Sequence, residues 1–162
     1  MQLEMKVKGL MIDPVSNMPI IVLKDSQSET VLPIWVGIFE ANAIAMQLEK
    51  ITSPRPMTHD LLKNVIEGLH VDIDRVVITD LRENTFFAAI HLRQNGADLT
   101  IDARPSDAMA LALRAEAPIF VESDVLEKST SSEDSGGVAD ETERLRQWLE
   151  TVDPEELGKY EM

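Results

Sequence analysis

The chain has no cysteine among its 162 residues, which excludes disulfides, thiolate metal sites and a cysteine nucleophile. Aromatic residues are scarce at 4%. Trp35, Trp148 and the Phe86-Phe87 pair are not interleaved with basic residues, so they do not read as a base-stacking platform. Basic residues are short as well, 15 Lys and Arg against 29 Asp and Glu, and the basic footprint usual in nucleic-acid binders is missing. No apolar run approaches the roughly 20 residues of a membrane span. The N-terminal MQLEMKVKGL alternates charges without the apolar core of a signal peptide, so the expected location is cytoplasmic. There is no Gly-rich phosphate loop, no G-x-S-x-G, no H-E-x-x-H and no histidine cluster at zinc spacing.

What is present is a globular composition, 44% hydrophobic, with charge spread unevenly. Residues 122–162 hold 13 acids and 4 bases, whereas residues 1–121 hold 16 and 11. The expected organisation is one α+β domain over 1–121, a Ser- and Gly-rich linker over 122–138, and an acidic tail over 139–162. In the tail, Asp140 and Glu143 have capping-box spacing, and Leu145, Trp148, Leu149 and Val152 share one helical face. That pattern predicts a short amphipathic helix that docks on the domain, binds a protein partner or stays frayed.

Within the domain, Leu3, Met5 and Val7 alternate with Glu4, Lys6 and Lys8, the pattern of a half-buried strand over 3–12. Apolar runs at 20–23 and 31–36 continue a first set of strands, with Pro33 pointing to an edge or a bulge. An Ala-rich helix is expected from about Ile38 to Ile51. Pro54 and Pro56 enforce an extended entry to a helix over about 59–69, with Thr58 as its N-cap. Strands at 76–81, 86–93 and 98–101 follow, and Asn95-Gly96 between two of them is a strong hairpin signal. A helix over 105–115, with Pro105 in its first position, and a strand at 119–121 close the domain.

The stretch LTIDARPSDAMALALR at 99–114 is echoed by LPIWVGIFEANAIAMQL at 32–48. A shift of 67 positions lays Leu32 on Leu99, Glu40 on Asp107, and Ala43 and Ala45 on Ala110 and Ala112. Gly37 takes the N-cap place of Arg104, and both acids fall three residues into their helices, where free N–H groups and the dipole favour a carboxylate. The fold class is therefore α+β: duplicated βββα units with a connecting helix, a largely antiparallel sheet and a flexible acidic tail.

RPMTHDLL at 55–62, IDARPSDAMALALR at 101–114 and GIFEANAIAMQLE at 37–49 together resemble the bifunctional nuclease (BFN) domain family, over roughly residues 3–121. The resemblance implies that fold and an activity on both DNA and RNA. A metal-dependent nuclease needs carboxylates around Mg²⁺ or Mn²⁺, cations on the phosphate and a group to move a proton. The three motifs supply candidates. Asp102 and Asp107, with Glu40, would hold the metal, and Arg55 and Arg104 the phosphate. His59 would move the proton, and Asp60 stands beside it as a further catalytic candidate.

Each of these residues also has a structural reading. Glu40, Asp60 and Asp107 suit helix starts, Asp102 suits a turn cap or a pair with Arg104, His59 suits a solvated first turn, and Arg55 can simply pair with an acid. His70 and His91 read as a helix C-terminal residue and an exposed sheet residue. The alternative function is a non-catalytic module of the same fold, binding a protein or small ligand. Half-buried strands and 8 methionines also fit a homo-dimer.

Overall fold

The computed structural model describes residues 1–131 of the chain. The elements run β1 (Gln2–Ile12), β2 (Pro19–Asp25), β3 (Val31–Trp35), α1 (Ile38–Leu48), α2 (Thr58–Gly68), β4 (Asp72–Arg82), β5 (Thr85–Gln94), β6 (Ala97–Ala103), α3 (Pro105–Ala115), β7 (Ile119–Glu122) and α4 (Ser123–Ser131). All seven strands form one sheet in the order β3-β2-β1-β7-β4-β5-β6. Every pairing is antiparallel except β4 with β7. This is the α+β class with a mostly antiparallel sheet. Among the described residues no helix is long and apolar enough to cross a membrane.

Local chemistry accounts for the strands. In β1 the register slips between Val7 and Gly9, which leaves Lys8 as the extra residue of a bulge. Beyond it Leu10 and Met11 are both buried, on opposite faces, and join two different apolar clusters. β2 reads Ile20, Ile21, Val22, Leu23 without alternation, and all four are fully buried, because both of its faces are covered. Pro33 sits in β3 at one edge of the sheet, where its missing N–H leaves no gap in the ladder. The β4–β5 and β5–β6 hairpins turn on Glu83-Asn84 and Asn95-Gly96. All four of these residues have positive φ, the signature of the type I′ turn that matches strand twist.

The two Ala-rich helices pack on each other, α1 also against β2 and α3 against β4 and β5. Ala41, Ala43, Ala45, Ala108, Ala110 and Ala112 are buried there, and their small side chains let the helix axes approach closely. Helices α1, α2 and α3 stop the same way. Lys50, His70 and Glu116 take left-handed φ of 56°, 59° and 55°. The next N–H then folds back to the last turn, as Ile51 to the Met46 carbonyl at 2.8 Å, Val71 to Ile66 at 3.2 Å and Ala117 to Ala112 at 2.9 Å. This stops α1 at Leu48, short of the expected Ile51, and it makes His70 the helix-terminal residue the sequence suggested.

Two expectations need correction. The N-cap of α2 is Met57, not Thr58. The Asp60 carboxylate accepts the Met57 N–H at 2.9 Å, which starts the helix one residue early and moves His59 to its second position. The second correction is that the expected linker begins as a helix, α4. Val125 is fully buried in the main core, the Ser123 N–H reaches the Met1 carbonyl at 2.9 Å, and Lys128 pairs with Asp80 at 2.6 Å. One apolar anchor and one ion pair outweigh a Ser-rich composition that favours coil. The remaining linker positions and the tail helix expected over 139–162 lie outside the described residues.

Candidate active site

The site forms where the starts of α1 and α3 meet. β3 feeds α1 through Gly37, and β6 feeds α3 through Arg104; both cap residues have extended backbone. Arg104, projecting from the start of α3, donates through Nη2 to Glu40 Oε1 at 2.9 Å and through Nε to Asp107 Oδ2 at 2.9 Å. One guanidinium thus joins the two acids that the sequence repeat places at equivalent positions. At Gly37, a Cβ would press on the Glu40 carboxylate, so glycine leaves Glu40 room to fold back toward Arg104.

α2 lies against α3 and completes the row. His59 Nε2 stands 2.9 Å from Asp107 Oδ1. An ionised carboxylate cannot donate, so Nε2–H donates, and Nδ1 of the neutral ring keeps its lone pair. The result is a continuous chain, Glu40–Arg104–Asp107–His59, drawn from three helices. His59 is largely shielded, with 13% of its side chain exposed, whereas Arg104 is 65% exposed. Burial raises the Asp107 pKa, but the hydrogen bonds from Arg104 and His59 outweigh it and hold the carboxyl below its ordinary value. Arg104 is raised in turn, chiefly by its bond to Asp107 and then by Glu40.

This chain lines an open cleft of about 970 Å³ together with apolar side chains that include Phe39, Leu61, Leu62, Val65 and Ile101. Asp102 also lines it, from the edge strand β6. Among the described residues no hydrogen bond or ion pair engages the Asp102 carboxylate.

The other two candidates lie elsewhere. Arg55 is exposed on the segment between α1 and α2 and is not among the cleft residues. Asp60 turns the opposite way from His59, its neighbour on α2. Its carboxylate takes the Met57 N–H and, at 2.7 Å, the Nε of Arg114, and it lines a separate, smaller cavity. Its pKa is lowered, first by the Met57 N–H and, against a burial penalty, by Arg114. Asp60 is therefore a helix cap and a clamp rather than a cleft residue.

The residues present do not fit a divalent ion as arranged. Among the described residues no three histidines or carboxylates converge on a point that could hold one. The Arg104 guanidinium stands between Glu40 and Asp107, and both Asp107 oxygens already accept hydrogen bonds. In this arrangement Asp102, Asp107 and Glu40 do not converge: Arg104 bonds both helix-start acids, and Asp102 does not join them.

Two residues without a candidate role in the sequence reading become prominent. Arg114 is buried, and it ties α3 to α1 through the Ala43 carbonyl at 3.0 Å and to α2 through Asp60. A lone arginine inside an otherwise buried Ala-rich helix was the available signal. Phe39 is 87% exposed and lines the cleft. Its position beside Glu40 was the signal there.

Comparison with known proteins now bears on the site. The family model of the bifunctional nuclease domain matches residues 21–134, a span that holds all three motifs and the whole of α4. An uncharacterized protein of Mycobacterium tuberculosis is 35% identical over 162 residues, covering 95% of this chain and 97% of its own length. Bifunctional nuclease 2 of Oryza sativa subsp. japonica is 29% identical over 118 residues, 70% of this chain and 36% of its own. Bifunctional nuclease 1 of Oryza sativa subsp. indica is 26% identical over 112 residues, 67% of this chain and 34% of its own. The chain thus spans about a third of these plant proteins and nearly all of the mycobacterial one. On that match, and with the motifs gathered around one cleft, the chain belongs to the bifunctional nuclease domain family.

Proposed function

We propose that the chain is a nuclease that hydrolyses phosphodiester bonds in DNA and RNA at the cleft of His59, Asp107 and Arg104. The observation that carries this reading is the hydrogen-bonded row Glu40–Arg104–Asp107–His59 lining an accessible cleft. Family membership and the names of the plant relatives support it.

In this reading Asp107 holds the His59 ring in one tautomer and stabilises the imidazolium that forms when Nδ1 takes a proton from the attacking water. Oxygen–phosphorus bond formation expels the leaving alkoxide, to which His59 returns the proton. Arg104 keeps Nη1 donors beyond those bound to Glu40 and Asp107, and they are available to a phosphate oxygen. No step is routed through a divalent ion. The test is cleavage of labelled single- and double-stranded DNA and RNA by purified full chain, with His59→Ala beside it. A folded variant that cleaves as fast as the parent removes the proposal.

A second reading is a non-catalytic module that self-associates, and one observation favours it. α2 is strongly amphipathic yet buries no residue, leaving Leu61, Val65 and Leu69 at least half exposed, an apolar strip of the kind that partners cover. Light scattering decides it: a species at 18.1 kDa at high concentration removes the homo-dimer.

Strands β1 to β3 and β4 to β6 lie in mirrored order on either side of β7, and each set leads into an Ala-rich helix. We read this as supporting an internal duplication that placed Glu40 and Asp107 on opposite sides of one arginine.

A further inference from the structure

A nuclease cleft with so little positive charge poses a physical problem. Of the residues that line it, Arg104 is the one permanent cation, against the carboxylates of Glu40, Asp102 and Asp107. Duplex binders draw most of their affinity from phosphate neutralisation, and a chain of net charge −14 with one lining arginine cannot bind that way. Affinity for a nucleic acid has to come from its bases.

The cleft is equipped for bases. Phe39 exposes 87% of its surface and lines the same cleft as Glu40 and Arg104. An aromatic ring left in water in the same cleft as a guanidinium is suited to stacking on a base whose phosphate reaches that cation. Asp102 brings to the same cleft a carboxylate with no partner among the described residues. A carboxylate only accepts, so it selects base edges that donate, such as the amino group of cytosine. Apolar walls from Leu62, Val65 and Ile101 shield such contacts from water.

We infer that the cleft is a site for an unpaired base: Phe39 stacks on it, Asp102 accepts from its amino edge, and Arg104 takes the adjoining phosphate. The substrate class is then single-stranded nucleic acid, or single-stranded segments within a folded one, because a duplex hides both the base face and the donor edge. This rests on the nuclease reading and narrows it.

The experiment measures binding of the full chain to fluorescein-labelled ten-nucleotide strands by anisotropy at about pH 8. The probes are d(C)10, d(T)10 and a duplex of mixed sequence. Cytosine and thymine have the same ring size, but thymine carries a carbonyl where cytosine carries the amino group. The expected results are preference for single strand over duplex and for d(C)10 over d(T)10. The salt slope should be shallow, about −1, as for one or two phosphates on a single strand.

Phe39→Ala should weaken binding about tenfold or more and Phe39→Trp restore it, and Asp102→Asn should abolish the cytosine preference. Phe39 is exposed, so these variants are expected to melt like the parent. Three results overturn the inference: unchanged affinity in Phe39→Ala, equal affinity for duplex and single strand, or Phe39 buried between two copies and a dimer that Phe39→Ala dissociates. A parent chain that binds and cleaves duplex well defeats this inference alone. A parent chain that neither binds nor cleaves any strand defeats the nuclease reading with it.

Discussion

Arg114 and Asp60, 54 positions apart in the chain, are joined by a 2.7 Å hydrogen-bonded ion pair that locks the helix carrying His59 against the helix carrying Asp107. The Arg114 side chain is 5% exposed, and its two Nη atoms donate to the Ala110 and Ala43 carbonyls at 3.0 Å. The position of His59 relative to Asp107 therefore depends on a residue that does not line the cleft.

Arg114→Ala should destabilise the fold by about 2–4 kcal/mol. Breaking a buried pair costs about 3–5, and here the Asp60 side is 36% exposed, which lowers the figure. Urea denaturation measures it. A loss below about 1 kcal/mol would mean that the helices are held by alanine packing alone.

At Glu116, left-handed φ of 55° is carried by a residue with a Cβ, in a conformation that suits glycine. Glu116→Gly should stabilise by roughly 0.5–1 kcal/mol, seen as a higher Tm. An unchanged or lower Tm would show that the glutamate side chain makes a compensating contact.

The Asp60 and Asp107 carboxyls both sit below their ordinary value of 3.8 in the fold. The unfolded chain then binds more protons than the folded one in acid, so stability rises with pH there. Their contribution is complete above 3.8 and is lost as pH falls through the depressed values. Melts from about pH 5 downward should show this loss, and Asp107→Asn should have a shallower acid slope than the parent. Parallel slopes would contradict the assignment.

Arg104 bonds both Glu40 and Asp107, the two helix-start acids that would serve as metal ligands. Cleavage should therefore survive EDTA, with at most a modest gain on adding Mg²⁺ or Mn²⁺. Activity abolished by EDTA and restored by either ion would mean that Arg104 swings out and that Glu40, Asp102 and Asp107 become ligands after all.

Much of this was legible in the chain because it is local. Periodicity, Asn95-Gly96, Pro105 and the Ala-rich echo are chemistry within a few residues, and they yield the element order and the equivalent positions of Glu40 and Asp107. What the pattern could not supply is which groups meet across the fold. His59 suited a solvated helix start; packing of α2 on α3 brought it to Asp107, 48 positions away. Asp60 looked catalytic beside His59, yet one step along a helix turned it to Arg114. The Ser-rich run after Glu122 looked like coil because burial of Val125 is a tertiary event.

The central claim is that His59, oriented by Asp107, moves the proton in phosphodiester cleavage. The most direct measurement is the single-turnover rate of parent, His59→Ala and Asp107→Asn on a labelled RNA and its DNA counterpart, after melts show each variant folded. The rate should fall about a hundredfold or more in His59→Ala and comparably in Asp107→Asn, with both chains still binding the strand. Parent-like cleavage in folded His59→Ala would contradict it and move the chemistry out of this cleft.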